Sequence, residues 1–319
     1  MKKLLLWATS LVLLAGTALA ADLPSRKAPV LPPPPPPPPP PMWTGFYAGL
    51  NAGGTWANNA AVNAQTWNLS SNQGFVSSGN LAAAALLSGS GSNRSSSGGF
   101  IGGGQIGYNW QINGFGLGSG LVTGVEADIQ GIAGSGGTTS RWSAAAVVQN
   151  QLIGPNFPVT LLTNQPGRSN LQFLGTVRGR LGILAMPTLL VYGTGGLAYG
   201  GVSTSFYNTQ FWLDGSGSNF NYLTVGSGTL SNTQVGWTAG GGLEWMFLPN
   251  WSLKAEYLYY DLGNMAGSIV NTYAGFDSAA GQGGLQSITN YSGRVSGNIV
   301  RAGVNYHFNW GADPVVAKY

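Results

Sequence analysis

Along Asn298-Ile-Val-Arg-Ala-Gly-Val-Asn-Tyr-His-Phe308 the side chains alternate: Val300, Ala302, Val304, Tyr306 and Phe308 share one face, and Arg301, Gly303, Asn305 and His307 share the other. A period of two predicts a strand with one apolar and one polar side. Apolar outside, polar inside and an aromatic at the end suit a strand that closes a barrel in lipid.

Seven earlier segments carry the same pattern. Thr44–Trp56 sets Phe46, Ala48, Leu50 and Ala52 on one face, and Gly98–Gln111 sets Phe100, Ile106, Tyr108 and Trp110 outward. Leu121–Ile132 turns Val125, Ala127 and Ile129 out and Glu126, Asp128 and Gln130 in. Leu171–Met186 turns Phe173, Val177, Leu181 and Ile183 out and Gln172, Thr176, Arg178 and Arg180 in. Leu189–Ser203 has apolar residues on both parities, so its facing stays open. Thr233–Met246 places Trp237, Ala239, Leu243 and Trp245 outward; Ser252–Gly263 places Leu253, Ala255, Tyr257 and Tyr259 outward and Lys254 and Glu256 inward. The eighth segment is Gly293–Phe308.

Connections alternate in length. Asn113–Gly120, Pro187-Thr188 and Phe247–Asn250 are short, whereas 57–97, 134–170, 204–232 and 264–292 are long and rich in Ser, Gly, Asn and Thr. Outer-membrane barrels have short periplasmic turns and long extracellular loops. The expectation is an all-β fold: a transmembrane, antiparallel, up-and-down β-barrel of eight strands, with both ends of the barrel domain in the periplasm. Apolar pieces at Leu81–Leu87 and Ala144–Leu162 add strands or form loop helices. Trp43, Trp110, Trp245 and Trp251 mark the periplasmic strand ends, and Trp56 and Trp237 the opposite ends, where amphipathic rings meet a membrane interface.

Composition sharpens the picture. Only 7% of the 319 residues are charged, against about 25% in ordinary soluble domains. No stretch after the N-terminus holds about 18 unbroken apolar residues, so helical spans are excluded. The aromatic residues (11 Trp, 13 Tyr and 12 Phe) argue against a disordered chain. Cysteine is absent, which excludes disulfides and thiolate metal sites.

At the N-terminus, Met1-Lys-Lys, an apolar run from Leu4 to Gly16 and the small-residue site Ala18-Leu-Ala20 read as a secretory signal peptide over 1–20. Without Lys2 and Lys3 the net charge falls from +4 to +2, too weak a balance to suggest nucleic acid. A linker over 21–42 follows. Its unbroken run Pro32–Pro41 forms polyproline II, roughly 30 Å of semi-rigid spacer. It reads either as a plain periplasmic linker or as a stalk that reaches peptidoglycan. The barrel occupies 43–308 and a periplasmic tail 309–319.

The segments also carry a resemblance. Trp43-Thr-Gly-Phe-Tyr-Ala-Gly-Leu-Asn-Ala-Gly53, Gly175-Thr-Val-Arg-Gly-Arg-Leu-Gly182, Val191-Tyr-Gly-Thr-Gly-Gly-Leu-Ala-Tyr-Gly200, Gly236-Trp-Thr-Ala-Gly-Gly-Gly-Leu-Glu-Trp245 and Trp251-Ser-Leu-Lys-Ala-Glu-Tyr-Leu-Tyr-Tyr-Asp-Leu-Gly263 together resemble the small immunogenic outer-membrane barrels of alphaproteobacteria, the porin-family or opacity-like surface antigens. The resemblance implies an eight-stranded barrel in the cell outer membrane of a Gram-negative bacterium, with structural and sometimes pore roles. It implies no catalytic residues and no cofactor. The partners it implies are outer-membrane lipid, lipopolysaccharide and the barrel assembly machinery. Members of the family usually stop at the terminal aromatic, here Phe308, whereas this chain continues through Asn309–Tyr319.

Candidate chemistry is sparse. Gly102-x-Gly104-x-x-Gly107 has the spacing of a dinucleotide fingerprint, but that motif needs a helix after it, and Tyr108-Asn-Trp continues a strand; small residues inside a narrow barrel explain it better. His307 is the lone histidine, with no acid nearby in sequence, and reads as a rim or lumen residue rather than part of a lipid-modifying enzyme. One constellation remains. Glu126, Asp128, Arg178, Arg180, Glu244, Lys254, Glu256 and Arg301 all fall on inward positions, and Glu244 faces Lys254 across a hairpin. An eight-stranded barrel has room only for its own side chains, which favours a structural ion-pair filling over a charged diffusion pore. The expected protein is a structural, surface-exposed barrel that displays four long loops; a small porin-like pore is the alternative. Deleting Asn309–Tyr319 should leave a barrel that inserts and resists heat in detergent on a gel, whereas deleting Tyr306–Phe308 as well should block assembly.

Overall fold

The structure, a computed structural model, describes residues 43–58, 60–70, 78–95, 98–112, 120–149, 157–214, 223–273 and 286–308. The signal segment 1–20, the linker 21–42 and the tail 309–319 lie outside the described residues. In chain order the elements are β1 (Gly45–Ala57), β2 (Ala60–Ser70), α1 (Ser78–Gly89), β3 (Gly91–Ser95), β4 (Gly98–Ile112), β5 (Leu121–Ala133), β6 (Gly137–Thr139), β7 (Trp142–Gln149), β8 (Phe157–Asn164), β9 (Gly167–Met186), β10 (Leu189–Asp214), β11 (Leu223–Leu248), β12 (Trp251–Tyr273) and β13 (Gln286–Phe308).

Eight strands pair around a ring. β1 pairs with β4 and β13, β4 with β5, β5 with β9, β9 with β10, β10 with β11, β11 with β12, and β12 with β13, every pair antiparallel. Closure removes the exposed strand edges that an open sheet would carry. The turns Pro187-Thr188 and Pro249-Asn250, the start of β1 and the end of β13 share one end, called here the turn end.

The strands run past the segments read from alternation. β10 and β11 have 26 residues each, and β12 and β13 have 23 each, against about 9–11 for crossing a bilayer. Much of what the sequence marked as long loop is therefore sheet. The reason is solvent: above the lipid the outer face turns polar, and the apolar half of the alternation that marks a membrane strand disappears. In β13, Ser287, Thr289 and Tyr291 point inward while Gln286, Asn290 and Ser292 point out. Strand geometry persists there on β-forming Thr, Tyr and Ile. At this far end β2 takes over from β1 against β13, and β8 takes over from β9 against β10. The helix α1, which contains Leu81–Leu87, packs against β2, β7 and β8. Of the Ala144–Leu162 piece, residues 144–149 fall in β7 and 157–162 in β8, which pair antiparallel, and 150–156 lie outside the described residues.

The outer face is apolar at the expected positions. Leu50, Ile106, Ile129, Val177, Leu243 and Val300 are half or more exposed. Aromatic rings ring the turn end: Phe46 contacts Tyr108, Tyr108 contacts Trp110, and Trp251 and Phe308 both contact Tyr306, with centroids 4.6–5.1 Å apart. Phe46 and Trp56 lie ten residues apart, about 34 Å along a strand. At a tilt of about 40° that is roughly 26 Å of height, the thickness of an outer-membrane apolar band.

Two placements differ from the sequence reading. Gln172 is exposed, not inward: the β9–β10 register slips between Gly201 and Val202, skipping Gln172, so Leu171 and Leu174 are both buried. A one-residue bulge reverses the facing of everything beyond it. Trp43 is fully buried and donates its indole N–H to Pro187 O at 3.0 Å, so it plugs the turn end instead of joining the belt. The open facing of Leu189–Ser203 also resolves. Leu190 and Tyr192 point inward beside Trp43, Val122, Leu184 and Met246, and Ala198 and Val202 join a second apolar layer higher up.

The lumen is thus layered: the Trp43 layer at the turn end, the charged positions above it, then Ile101, Leu174, Leu258 and Ile299, all buried. Val177→Arg or Leu243→Arg, on the lipid face, should cost roughly 2–4 kcal/mol in urea unfolding from lipid vesicles, while Ser92→Arg, on exposed β3, should change stability by less than about 0.5 kcal/mol.

Candidate functional site

Facing follows from parity. Glu126 and Asp128 sit two apart on β5, Arg178 and Arg180 on β9, and Lys254 and Glu256 on β12, so each pair points into the lumen. Glu244 on β11 and Arg301 on β13 complete the set, and all eight side chains are buried. Four acids meet four bases, and the layer is neutral.

The ion pairs cross the lumen. Arg178 donates to Glu126, to Asp128 at 2.8 Å and to Glu256 at 3.0 Å. Arg301 reaches Asp128 at 2.9 Å and Glu256 at 2.6 Å. Lys254 donates to both oxygens of Glu126, at 2.7 and 2.8 Å. Arg180 bonds Glu244 at 2.5 Å and lies over the Tyr192 ring, 4.2 Å from its centroid. The register does set Glu244 opposite Lys254, yet the ammonium turns to Glu126 and the carboxylate to Arg180. Planar guanidinium groups engage several carboxylates at once, which suits a closed network.

Neutral side chains complete the layer. Tyr47 donates its hydroxyl to Glu126 at 2.7 Å, Tyr192 to Glu256 at 3.0 Å and Thr176 to Asp128 at 2.8 Å. Sequence parity could have flagged Tyr47, which alternates with outward Phe46 and Ala48; Tyr192 was hidden by the mixed parity of its strand.

His307 has an acid near it in space. Its Nε2 lies 3.5 Å from Glu244 and 2.9 Å from Ser252 Oγ. Ser252 gives its single proton to Glu244 at 2.6 Å, so its oxygen accepts from His307. A nucleophilic serine would donate to histidine, with the acid on the other ring nitrogen. Both groups here meet the same nitrogen, and the trio is fully buried, so the arrangement holds Glu244 rather than activating Ser252. The glycine motif also takes its place in the sheet. Gly102 and Gly104 face outward, where an added methyl group would make only ordinary contacts at 3.7–3.8 Å, only Gly107 faces in, against the Tyr47 ring, and β4 continues as strand through Ile112.

Beyond the aromatic belt, Asp261 pairs with Arg294 at 2.5 Å. That hydrogen bond holds the Asp261 carboxyl below the usual carboxylate range. Higher still, burial pushes the Tyr291 phenol up, so it stays neutral.

The chain matches the family model for the outer membrane protein beta-barrel domain over residues 40–308. It is 34% identical over 204 residues to the 31 kDa outer-membrane immunogenic proteins of Brucella melitensis biotype 1 and of Brucella suis biovar 1, spanning 64% of this chain and 64% of each relative. Among solved structures it is similar to the outer membrane protein OprG from Pseudomonas aeruginosa, with 11% identity, a TM-score of 0.33, and coverage of 83% of this chain and 97% of that one.

Arg301→Ala should lower stability by about 3–5 kcal/mol, because it leaves the buried layer with one more acid than base and strips Asp128 and Glu256 of one of their cations. Arg294→Ala, whose side chain is 65% exposed, should cost far less, because water screens that pair. Urea unfolding of both variants in one lipid checks the contrast.

Proposed function

The chain belongs to the outer membrane protein β-barrel family, and from that premise we propose that it is a structural, non-enzymatic, surface-exposed barrel with a closed lumen. It resides in the outer membrane of a Gram-negative bacterium. The far ends of strands β10 to β13, with β2, β7, β8 and α1, then stand outside the cell and carry four connecting regions at the surface. The relatives named as immunogenic outer-membrane proteins favour the same surface display. The signal peptide, the proline linker as a periplasmic spacer toward peptidoglycan, and contacts with lipopolysaccharide and the assembly machinery belong to this reading.

One observation carries it: Arg178, Lys254 and Arg301 are almost fully buried across the barrel, tied to the carboxylates of Glu126 and Asp128 on β5 and Glu256 on β12. An ion path needs water beside the charges. Here opposite charges satisfy each other, and the apolar layers around Trp43 and around Ile101 and Leu258 close the lumen on both sides. A porin-like pore would need that layer to part.

Purified barrel in a planar bilayer should therefore show little or no steady conductance. Arg178→Ala combined with Arg180→Ala should lower thermal stability and raise conductance together, because unpaired carboxylates draw in water. A large, stable, ion-selective conductance in the unmutated protein would overturn the closed-lumen reading in favour of the pore.

A further inference from the structure

β11 and β12 do not pair along their whole length. The ladder holds from the turn end to Trp237 and Asp261, and returns at Val225–Thr272 and Thr224–Tyr273. Between these, residues 226–236 and 262–271 run side by side without a paired register. Each strand is held from its other side, β11 by β10 and β12 by β13. Just beyond the outer aromatic pair Trp237 and Tyr259 the wall therefore has a seam closed by close contact instead of a ladder: a methyl group added at Gly228 would lie 2.5 Å from the Ile269 side chain, and one at Gly226 2.9 Å from Val270 O. Leu230 lies across it: a methyl group added at Gly267 would sit 1.9 Å from the Leu230 side chain.

Behind the seam is a cavity of about 70 Å³, lined mainly by Leu171, Val202, Leu230, Met265, Phe206 and Tyr291. A single water needs about 10–15 Å³ by the same kind of measure, so the space exceeds one or two solvent molecules. Its wall is mostly apolar, with Ser169, Thr204, Tyr260, Arg294 and Ser296 also lining it. Tyr291 is 5% exposed and stacks on Phe206, centroids 4.2 Å apart, and its hydroxyl has no hydrogen-bond partner among the described residues. A buried hydroxyl without a partner costs free energy and can be satisfied by a ligand atom. Below the cavity, Leu174, Leu258 and Ile299 and then the charged layer close the way to the turn end.

We propose that this cavity is a binding site for a small apolar molecule bearing one hydrogen-bonding group, admitted sideways through the β11–β12 seam past Leu230. The apolar walls hold the body of the molecule, the Tyr291 hydroxyl engages its polar group, and Leu230 is the gate. The site is a dead end and does not transport.

The test uses 4-fluorophenol as the probe and the full mature chain folded in phospholipid nanodiscs, with empty nanodiscs as the reference for partition into lipid. Fluorine NMR titration should show saturable binding above the empty discs. Tyr291→Phe should weaken it about five- to tenfold, and Val202→Phe, which fills the cavity, should abolish it. Leu230→Ala should speed exchange of the probe. Without ligand, Tyr291→Phe should fold with an unchanged or higher thermal midpoint, since it removes an unpartnered hydroxyl, so this variant decides the matter even if Val202→Phe fails to fold. Binding no greater than in empty discs, or binding unaffected by Tyr291→Phe, would overturn the proposal and leave the cavity a packing gap.

Discussion

Everything inside this barrel depends on eight buried charges compensating one another. A ring of eight strands leaves space for side chains but little for water, and lipid surrounds it. A lone charge in that setting is costly. Four acids and four bases from five strands meet within one layer, so the lumen is filled and neutral at once. The space for such large side chains comes from the neighbouring strands. Gly53 faces Arg301 and Gly196 faces Arg178 so closely that an added methyl group would lie 2.6 and 2.7 Å from their Cα atoms. Gly107 leaves room for the Tyr47 ring in the same way. The high glycine content of the chain is in part the complement of the charged layer.

The wall and the filling obey different solvents. Lipid demands apolar residues outside over one band, and the lumen demands large, paired or apolar residues inside over the whole height. Above the band only the inner demand remains, and there the structure becomes irregular. Gly263, at φ 79°, adopts the left-handed region beside a register slip between Asp261 and Asn264. This is where glycine permits a bulge. Below it the even positions of β12 face in; above it Met265, Ile269 and Asn271 do. The same height brings the end of the β11–β12 ladder and the switch from β1 to β2.

The membrane part of the fold was legible because lipid writes itself into alternate residues. Val300 to Phe308 and Val125 to Ile129 declare their faces, and parity alone put Glu126, Asp128, Arg178, Arg180, Glu244, Lys254, Glu256 and Arg301 on inward positions. Partner choice was not legible. Lys254 lies opposite Glu244 in register but binds Glu126, because contacts across a lumen depend on the curvature of the whole ring. Trp43 looked like a belt residue, since a burial site made by Pro187, Leu190 and Met246 cannot be seen from its neighbours in sequence. The skip at Gln172 left no local mark either. The far-end strands were hidden because Ser, Thr, Asn and Gly on their outer faces dilute the inner apolar residues Phe206, Ile269 and Tyr291 and look like loop in any window.

The dependence of these charges on one another can be measured directly by a double-mutant cycle on Glu126→Gln and Lys254→Met, using urea unfolding of the full mature chain in lipid vesicles. Each single change strands a partner in the closed lumen, and together they remove one charge of each sign. The account predicts that the double variant is more stable than the sum of the two losses implies, by about 1–3 kcal/mol. Strictly additive losses would contradict it, since they would mean that the two groups are solvated independently in a lumen open to water.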